Sequence, residues 1–140
     1  MAEQADKLDI IALWHDCGLT RPWNGPEEDF DFALYGPSST VLVLQSKDGV
    51  VGSALVGHDG HRGTVYYVSI APAQRGLGLG KTLMDAAEDW LRDRGVWKVN
   101  LLVRRENSAA VRFYNQLGYG DQDCIALGKR LDGHPDRSTS

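Results

Sequence analysis

Apolar residues recur at helical spacing in four stretches of the chain. They predict helices over residues 6–17, over a short segment that begins at Pro26, from about Leu79 to Gly95, and from Asn107 or Ser108 to Gly118. The first helix is expected to bury Leu8, Ile11, Ala12 and Trp14. The third is expected to bury Leu79, Leu83, Ala86, Ala87, Trp90 and Leu91.

Runs rich in β-branched and aromatic residues predict the strands. These cover residues 40–46, 50–57, 64–71 and 97–103, with the last strands formed by Tyr119 and residues 124–131. Asp48-Gly49 predicts a hairpin between the first two strands. Because a helix separates residues 97–103 from residues 64–71, these two strands are expected to be parallel. The order of elements therefore predicts an α/β fold with helices flanking a mixed central sheet.

Length, charge and apolar content indicate the domain organisation, the expected partners and the expected location of the protein. The 140 residues predict one domain over residues 1–131, followed by a polar tail over 132–140 that is expected to be disordered. A net charge of −4 argues against a nucleic-acid partner, which usually needs a clustered basic face. No apolar run is long enough to span a bilayer, and the first residues lack the pattern of a signal peptide, so the expected location is the cytoplasm. Cys17 and Cys124 are isolated, which favours packed free thiols over a structural disulfide.

A glycine-rich turn links the strand at residues 64–71 to the third helix. Pro72 ends the strand, Arg75 follows, and Gly76, Gly78 and Gly80 alternate up to the start of the helix. The unpaired N–H groups of a helix start and a glycine backbone can close on a phosphate. The alternative is a plain strand-to-helix turn, although three glycines cost about 1 kcal/mol each at a helix start unless their freedom is used.

Two common phosphate motifs do not fit this turn. An ATP- or GTP-binding loop needs glycine five positions before its Gly-Lys-Thr, and that position is Arg75. The dinucleotide motif needs a third glycine at Lys81 or Leu83. What remains is Arg75-x-x-Gly78-x-Gly80 after Ile70-Ala71-Pro72, which resembles the acetyl-CoA-binding motif of the GNAT superfamily of N-acetyltransferases.

A second segment strengthens this resemblance. Residues 107–119, NSAAVRFYNQLGY, are similar to the family's segment of asparagine, apolar helix, tyrosine and Gly-Tyr. Residues 21–24, 59–62 and 127–131 are similar to one bacterial branch, the YpeA-type acetyltransferases. The resemblance extends from the first helix to Leu131, but two features depart from it. Residues 1–5 are too short and poorly patterned for the family's first strand, and Leu102 stands where some relatives carry a glutamate that acts as the base.

The resemblance implies acetyl-CoA as the cofactor and names its ligands. The residues it places at the cofactor are Val68, Ser69, Ile70, Arg75, Gly76, Leu77, Gly78, Leu79, Gly80, Lys81 and Asn107. The turn would hold the pyrophosphate, and a backbone N–H on the strand would polarise the thioester. Because a strand rises about 3.3 Å per residue, the thioester is expected near residues 67–69. Tyr114, seven residues after Asn107, is the expected general acid for the departing thiolate.

The acceptor is expected beyond the thioester, near the loop that precedes the strand and the link between the first two helices. Candidate acceptor residues are Trp23, Asn24, His58, Asp59 and His61. Either a residue of this loop or a water chain would take the proton of the amine, because only about one primary amine in a thousand is neutral at pH 7. No metal site is predicted, since the two histidines and Asp59 are crowded into a tight turn.

The leading interpretation is therefore an acetyl-CoA-dependent N-acetyltransferase in which a primary amine attacks the thioester directly. The alternative is a sensor or regulatory module that binds acetyl-CoA without turnover. A docking domain that uses the fold alone is disfavoured by the retained motif residues. The predicted acceptor is an amine, either a small molecule or a protein amine. A second copy of the chain is a further expected partner, because strand 40–46 would be left uncovered at the edge of the sheet. Neither nucleic acid nor membrane is expected. If residues 1–5 add no strand, deleting Met1–Gln4 is expected to change stability by less than about 1 kcal/mol.

Overall fold

The computed structural model describes residues 1–22 and 24–133. Its elements are α1 (Lys7–Asp16), α2 (Pro26–Tyr35), β1 (Ser39–Ser46), β2 (Gly49–His58), β3 (Gly63–Ile70), α3 (Leu79–Arg92) and α4 (Ser108–Gln116). Short 3-10 turns occur at Gln4–Asp6 and Pro72–Gln74. The chain divides into two compact units, Met1–Leu101 and Leu102–Ser140, and α4 lies in the second. The predicted bounds of a single domain over 1–131 stay a prediction.

The strands form an antiparallel sheet in the order β1-β2-β3. The first hairpin turns through Lys47 and Asp48, as the Asp-Gly signal predicted, and pairs Ser46 with Gly49. The ladder between β2 and β3 shifts where Ser53 pairs with Ser69 but Leu55 pairs with Tyr66. Tyr67 and Val68 therefore lie opposite Ala54 alone, which is a β-bulge.

Helices cover both faces of this sheet. Trp14 of α1 and Phe30 of α2 are fully buried and form a core with Val41 of β1. On the other face, a Cβ added to Gly52 would approach Leu83 of α3 to 3.2 Å and Ile70 to 3.0 Å. The α/β architecture with flanking helices is thus present in the first unit, which supports the predicted fold class.

The predicted buried faces are partly correct. In α3 the buried residues are Leu83, Met84, Ala87, Trp90 and Leu91. Ala86, which is exposed, and Leu79, which is only half-buried, were wrongly included. In α1 they are Ile10, Ile11, Leu13 and Trp14, whereas Leu8 and Ala12 are exposed. The error in α1 has a physical cause: the five consecutive residues from Ile10 to Trp14 are all apolar, so the spacing alone does not fix which side faces the sheet.

The predicted strand over residues 97–103 is wrong in extent. It is reduced to a single parallel bridge between Gly63 and Val99. Gly63 N donates to Lys98 O at 2.9 Å, and Asn100 N donates to Gly63 O at 2.9 Å. A Cβ on Gly63 would lie 2.5 Å from Leu91, so only glycine permits this close approach of strand and helix. The sheet is consequently antiparallel with one parallel bridge, rather than fully mixed.

The predicted last strands, at Tyr119 and residues 124–131, are also wrong. Within the described part of the second unit, residues 119–133 form no strand. Ile125, Leu127 and Leu131 are exposed, at 78%, 88% and 91%. A β-pattern becomes a strand only when another strand completes its hydrogen-bond ladder, and this requirement is not visible in the local sequence.

The N-terminus matches the predicted loss of the first strand. Residues 1–3 carry no strand assignment, and a 3-10 turn follows them. The predicted position of residues 40–46 at an edge is confirmed, because β1 is the outer strand of the sheet. However, Ala2 is only 6% exposed and its N–H donates to Val41 O at 2.7 Å. Pairing of this edge with a second copy stays a prediction.

Residues 134–140, the end of the predicted tail, lie outside the described residues. The two cysteines are free, but Cys124 is exposed rather than packed. Among the described residues, no helix is both long and apolar enough to cross a bilayer.

Candidate functional site

The turn between β3 and α3 is built around glycines with positive φ. Gly76 has φ of +83° and Gly78 has φ of +78°, and Gly78 is the N-cap of α3. The first bond of α3 runs from Thr82 N to Gly78 O at 3.2 Å, so the N–H groups of residues 79–81 have no acceptor within the helix. A Cβ at either glycine would meet no atom within 4 Å, which means that open space lies against this backbone. The turn is therefore a cradle of N–H groups suited to an anion such as a pyrophosphate.

The two cations of the turn hold other partners in this structure. Arg75 Nε donates to Ile70 O at 3.4 Å, and its Nη2 lies 3.6 Å from Cys17 Sγ. Lys81 Nζ lies 2.8 Å from Asp85 Oδ2, and this hydrogen bond raises the pKa of Lys81. Both side chains are exposed and flank the cradle. Neither is locked by burial, so both can turn towards an anion.

The end of β3 presents backbone groups on its side away from β2. Ala71 N donates to Val51 O at 2.8 Å, so the backbone of Ala71 faces β2. Ile70 O instead accepts from Cys17 Sγ at 3.3 Å and therefore faces away. Because backbone direction alternates along an antiparallel strand, Ile70 directs its N–H to the open side and Ser69 directs its own to β2. Val68 lies in the bulge, where this alternation is interrupted. Of the three predicted strand residues, Ile70 is thus an available donor, and Val68 in the bulge is a second candidate.

Tyr67 lies in the bulge just before Val68. Its φ is +54°, a conformation that residues other than glycine rarely adopt. Its ring stacks on Trp14 with centroids 4.1 Å apart, and its hydroxyl donates to Asp29 Oδ2 at 2.8 Å. Burial raises the pKa of Tyr67, and the contact with Asp29 raises it further. The phenol is therefore a fixed donor to the carboxylate of Asp29.

The loop between β2 and β3 holds three predicted acceptor residues. Asp59 Oδ1 accepts from the N–H groups of His61 and Arg62, both at 2.8 Å, and these bonds lower the pKa of Asp59. His58 Nδ1 accepts from Gly60 N at 3.1 Å. Asp59 is thus occupied as the cap of its own turn, which makes it a weaker base than an unpaired carboxylate. His61 is exposed.

The link between α1 and α2 is held by backbone contacts. Arg21 Nη1 donates to Gly18 O at 2.7 Å and to Thr20 O at 3.0 Å. Asn24 N donates to Arg21 O at 3.0 Å, and the Asn24 side chain is partly exposed. Trp23, another predicted acceptor residue, lies outside the described residues.

The second unit contains the predicted general acid. Asn107 is the N-cap of α4, and its side chain accepts from Ala110 N at 3.1 Å. Tyr114 contacts Phe113 and Tyr119 edge to face, with centroids 4.9 Å and 5.9 Å away. Burial raises the pKa of Tyr114, which keeps the phenol protonated. Leu102 is 67% exposed and has no ionisable group.

Sequence reasoning missed the contact between Tyr67 and Asp29. These residues are 38 positions apart, and the helix dipole already accounts for acids in the first turn of α2. A partial signal existed, because Tyr67 was already placed beside the expected thioester. Trp97 is 75% exposed and lies under the guanidinium of Arg62 at 4.3 Å, a contact that sequence reasoning also missed. Among the described residues, no cluster of His, Cys, Asp or Glu has the arrangement of a metal site.

Comparison with known proteins gives one consistent result. The family model of the acetyltransferase (GNAT) family matches residues 8–119. Acetyltransferase YE1169 of Yersinia enterocolitica is 42% identical over 129 residues, which cover 92% of each chain.

Solved structures share the fold. The ribosomal-protein-S18-alanine N-acetyltransferase from Escherichia coli has a TM-score of 0.66 and 25% identity, over 84% of this chain and 73% of that one. The glucosamine-6-phosphate N-acetyltransferase from Arabidopsis thaliana has a TM-score of 0.71 and 23% identity, over 94% and 95%. The resemblance to the YpeA-type branch stays a prediction.

Proposed function

Because the chain belongs to the acetyltransferase (GNAT) family, we propose that it transfers the acetyl group of acetyl-CoA to a primary amine, which attacks the thioester directly. The observation that carries this proposal is the continuity of β3 with the glycine cradle. Backbone donors of Val68 and Ile70 are followed, on the same chain segment, by the open N–H groups at the start of α3. A ligand with a thioester at one end and a pyrophosphate at the other matches both sets of donors.

The cradle supplies the pyrophosphate site. Gly76, Gly78 and Gly80 keep side chains away from the backbone, and the positive end of the α3 dipole favours an anion. Arg75 and Lys81 would exchange their present partners for the phosphates, and Leu77 and Leu79 contribute backbone. Leu77 is 66% exposed, as expected of a residue that rims a ligand site. Asn107 is proposed as a further cofactor ligand.

The strand supplies the donor for the thioester carbonyl. When bound, acetyl-CoA provides the activated acetyl group. The N–H of Val68 or Ile70 would polarise its carbonyl, an effect worth roughly 3 kcal/mol by analogy with oxyanion holes. Ser69 would act indirectly, since its hydroxyl donates to Tyr67 O at 3.2 Å and to Ser53 O at 3.3 Å and so holds the bulge.

Proton transfer requires an acid and a base. Tyr114 is the proposed acid, and its raised pKa keeps the proton available to a thiolate. For the base, the loop at residues 58–61 is remote: at about 3.3 Å per residue, Gly63 and Val68 are roughly 16 Å apart along β3. Water is therefore the better candidate for the base. His58, Asp59 and His61, with Trp23 and Asn24, are instead proposed to border the part of the acceptor that lies away from its reacting amine.

The test is release of thiol from acetyl-CoA by the purified protein with a panel of amines. The expected result is saturable release with at least one primary amine and none with the matching alcohol. Binding of acetyl-CoA without release from any amine would favour the alternative, a sensor or regulatory module. Absence of both binding and release would overturn the proposed function.

A further inference from the structure

Asp29 is held close to the proposed thioester site by a residue of the strand itself. Its Oδ2 accepts the hydroxyl of Tyr67 at 2.8 Å, and Tyr67 immediately precedes Val68. One tyrosine side chain therefore separates this carboxylate from the backbone that is proposed to polarise the thioester. Asp29 is exposed, and a carboxylate has about four acceptor positions, of which Tyr67 uses one.

The arrangement is rigid. The ring of Tyr67 lies against Trp14 at an angle of 11° between planes, and Trp14 is fully buried. Asp29 N donates to Gly25 O at 2.9 Å, which fixes the first turn of α2 directly after the α1–α2 link. This link is the segment that the family resemblance assigns to the border of the acceptor. Asp29 is thus a positioned carboxylate on the acceptor side.

The first turn of α2 carries negative charge, and the cation Lys7 beside it is paired with Asp31 at 2.8 Å. Glu27, Glu28 and Asp29 are consecutive and all exposed in the first turn of α2. These charges complement the helix dipole, and that role alone explains acids at this position. The helix dipole does not explain why Tyr67, whose backbone is strained, donates a hydrogen bond to Asp29.

Resting on the proposed function, we propose that Asp29 binds a second, non-reacting cationic group of the acceptor, and that the preferred acceptors are amines with two or more positive charges. Contact with the reacting nitrogen itself would be counterproductive. An opposite charge within about 4–6 Å shifts a pKa by 1–3 units towards the charged form, which would reduce the neutral amine by 10- to 1000-fold. A second ammonium or guanidinium has no such cost, because it stays charged throughout the reaction. Asp29 is then an acceptor-binding residue, and Tyr67 is the residue that positions it.

The experiment compares acceptors that differ only in the second charge. The probes are 1,5-diaminopentane, 1-aminopentane and 6-aminohexanoate, with thiol release from acetyl-CoA as the readout. In the wild type, kcat/KM for the diamine is expected to exceed that for the monoamine by 10-fold or more, with the anionic acceptor slowest. Asp29→Asn is expected to reduce this ratio to within 3-fold of one, mainly by raising KM for the diamine.

Two variants separate binding from a general effect of charge. Glu27→Gln removes a charge from the same turn, but residues two apart on a helix do not share a face. It is expected to keep the ratio within 3-fold of the wild type. Tyr67→Phe keeps the ring and the carboxylate but loses the bond between them, and an intermediate ratio is expected. Thermal unfolding of each variant without ligand verifies that it is folded.

The outcomes are distinct. Thiol release with a ratio near one in the wild type, or an equal loss in Glu27→Gln and Asp29→Asn, would overturn this inference and leave the proposed function standing. No release from any of the amines would overturn both. A selective loss in Asp29→Asn, confined to KM of the diamine, would support it.

Discussion

Gly78 gives the sharpest test of the phosphate cradle. The choice of the replacing side chain separates two effects, the backbone strain at a positive φ and the obstruction of the proposed anion site. At φ of +78°, alanine would cost about 1–2 kcal/mol in backbone strain. The space around its Cβ is open, so Gly78→Ala adds no clash. Gly78→Glu adds the same strain and also places a carboxylate at the N–H groups proposed to bind pyrophosphate.

The expected shifts in melting temperature follow from the size of the chain. With an entropy of unfolding near 2.1 cal/mol/K per residue, 140 residues give about 0.3 kcal/mol per degree. Acetyl-CoA at 100 times its Kd stabilises by about 2.7 kcal/mol, which corresponds to about 9 °C in the wild type. Gly78→Ala is expected to melt about 3–7 °C lower without ligand but to keep most of the ligand shift. Gly78→Glu is expected to lose nearly all of it.

Gly95 provides the matched control. Its φ is +83°, its Cβ would also meet nothing within 4 Å, and it follows the opposite end of α3. Gly95→Glu should therefore lower the melting temperature by a similar amount and retain the shift with acetyl-CoA, as measured by differential scanning fluorimetry. The reasoning is refuted if Gly78→Glu keeps the wild-type ligand shift, or if Gly95→Glu loses it.

The remaining predictions concern Tyr114, Tyr67 and the N-terminus. Tyr114→Phe is expected to lower kcat in steady-state kinetics by about 100-fold or more, and to leave the Kd for acetyl-CoA, measured by calorimetry, within a few-fold of the wild-type value. An unchanged kcat, when chemistry limits the rate, would exclude Tyr114 as the acid. The pKa of Tyr67 is raised in the folded state, so the folded protein binds this proton more tightly and loses stability as pH rises above about 10. Urea unfolding between pH 9 and 11 should show a shallower loss in Tyr67→Phe, and identical slopes would argue against the burial of this phenol. Deleting Met1–Gln4 should lower the free energy of unfolding in urea by about 1–2 kcal/mol, because it removes the buried Ala2 and its hydrogen bond to Val41 O. A cost near zero would instead agree with the smaller change expected from the sequence.

Features that depend on neighbouring residues could be predicted from the sequence. The hairpin at Asp48-Gly49 follows from turn chemistry, and β3 follows from its run of β-branched and aromatic residues. The positive φ of Gly76 and Gly78 follows from the alternation of glycines before an amphipathic helix. In each case the preference of a few consecutive residues agrees with the structure around them.

Features that depend on residues far away in the chain could not be predicted from the sequence. Residues 97–103 carry a strand pattern, but their pairing with β3 is a single parallel bridge between Gly63 and Val99. Residues 124–131 carry a similar pattern and find no strand partner within the described residues of their unit. The contact between Tyr67 and Asp29 joins the bulge to α2 across 38 positions, and no spacing rule connects them.

The strain at Tyr67 gives Asp29 a role in the strand in addition to its proposed role in binding the acceptor. A residue other than glycine in this conformation costs about 1–3 kcal/mol. Stacking of one aromatic pair contributes only about 0.5–1.5 kcal/mol beyond burial, so the contact with Trp14 at 4.1 Å offsets the strain only in part. The bond to Asp29 is the second contact that holds the ring in place. A cation bound to Asp29, as proposed above, would share the carboxylate with Tyr67, and it would therefore act on the bulge that Tyr67 forms with Val68.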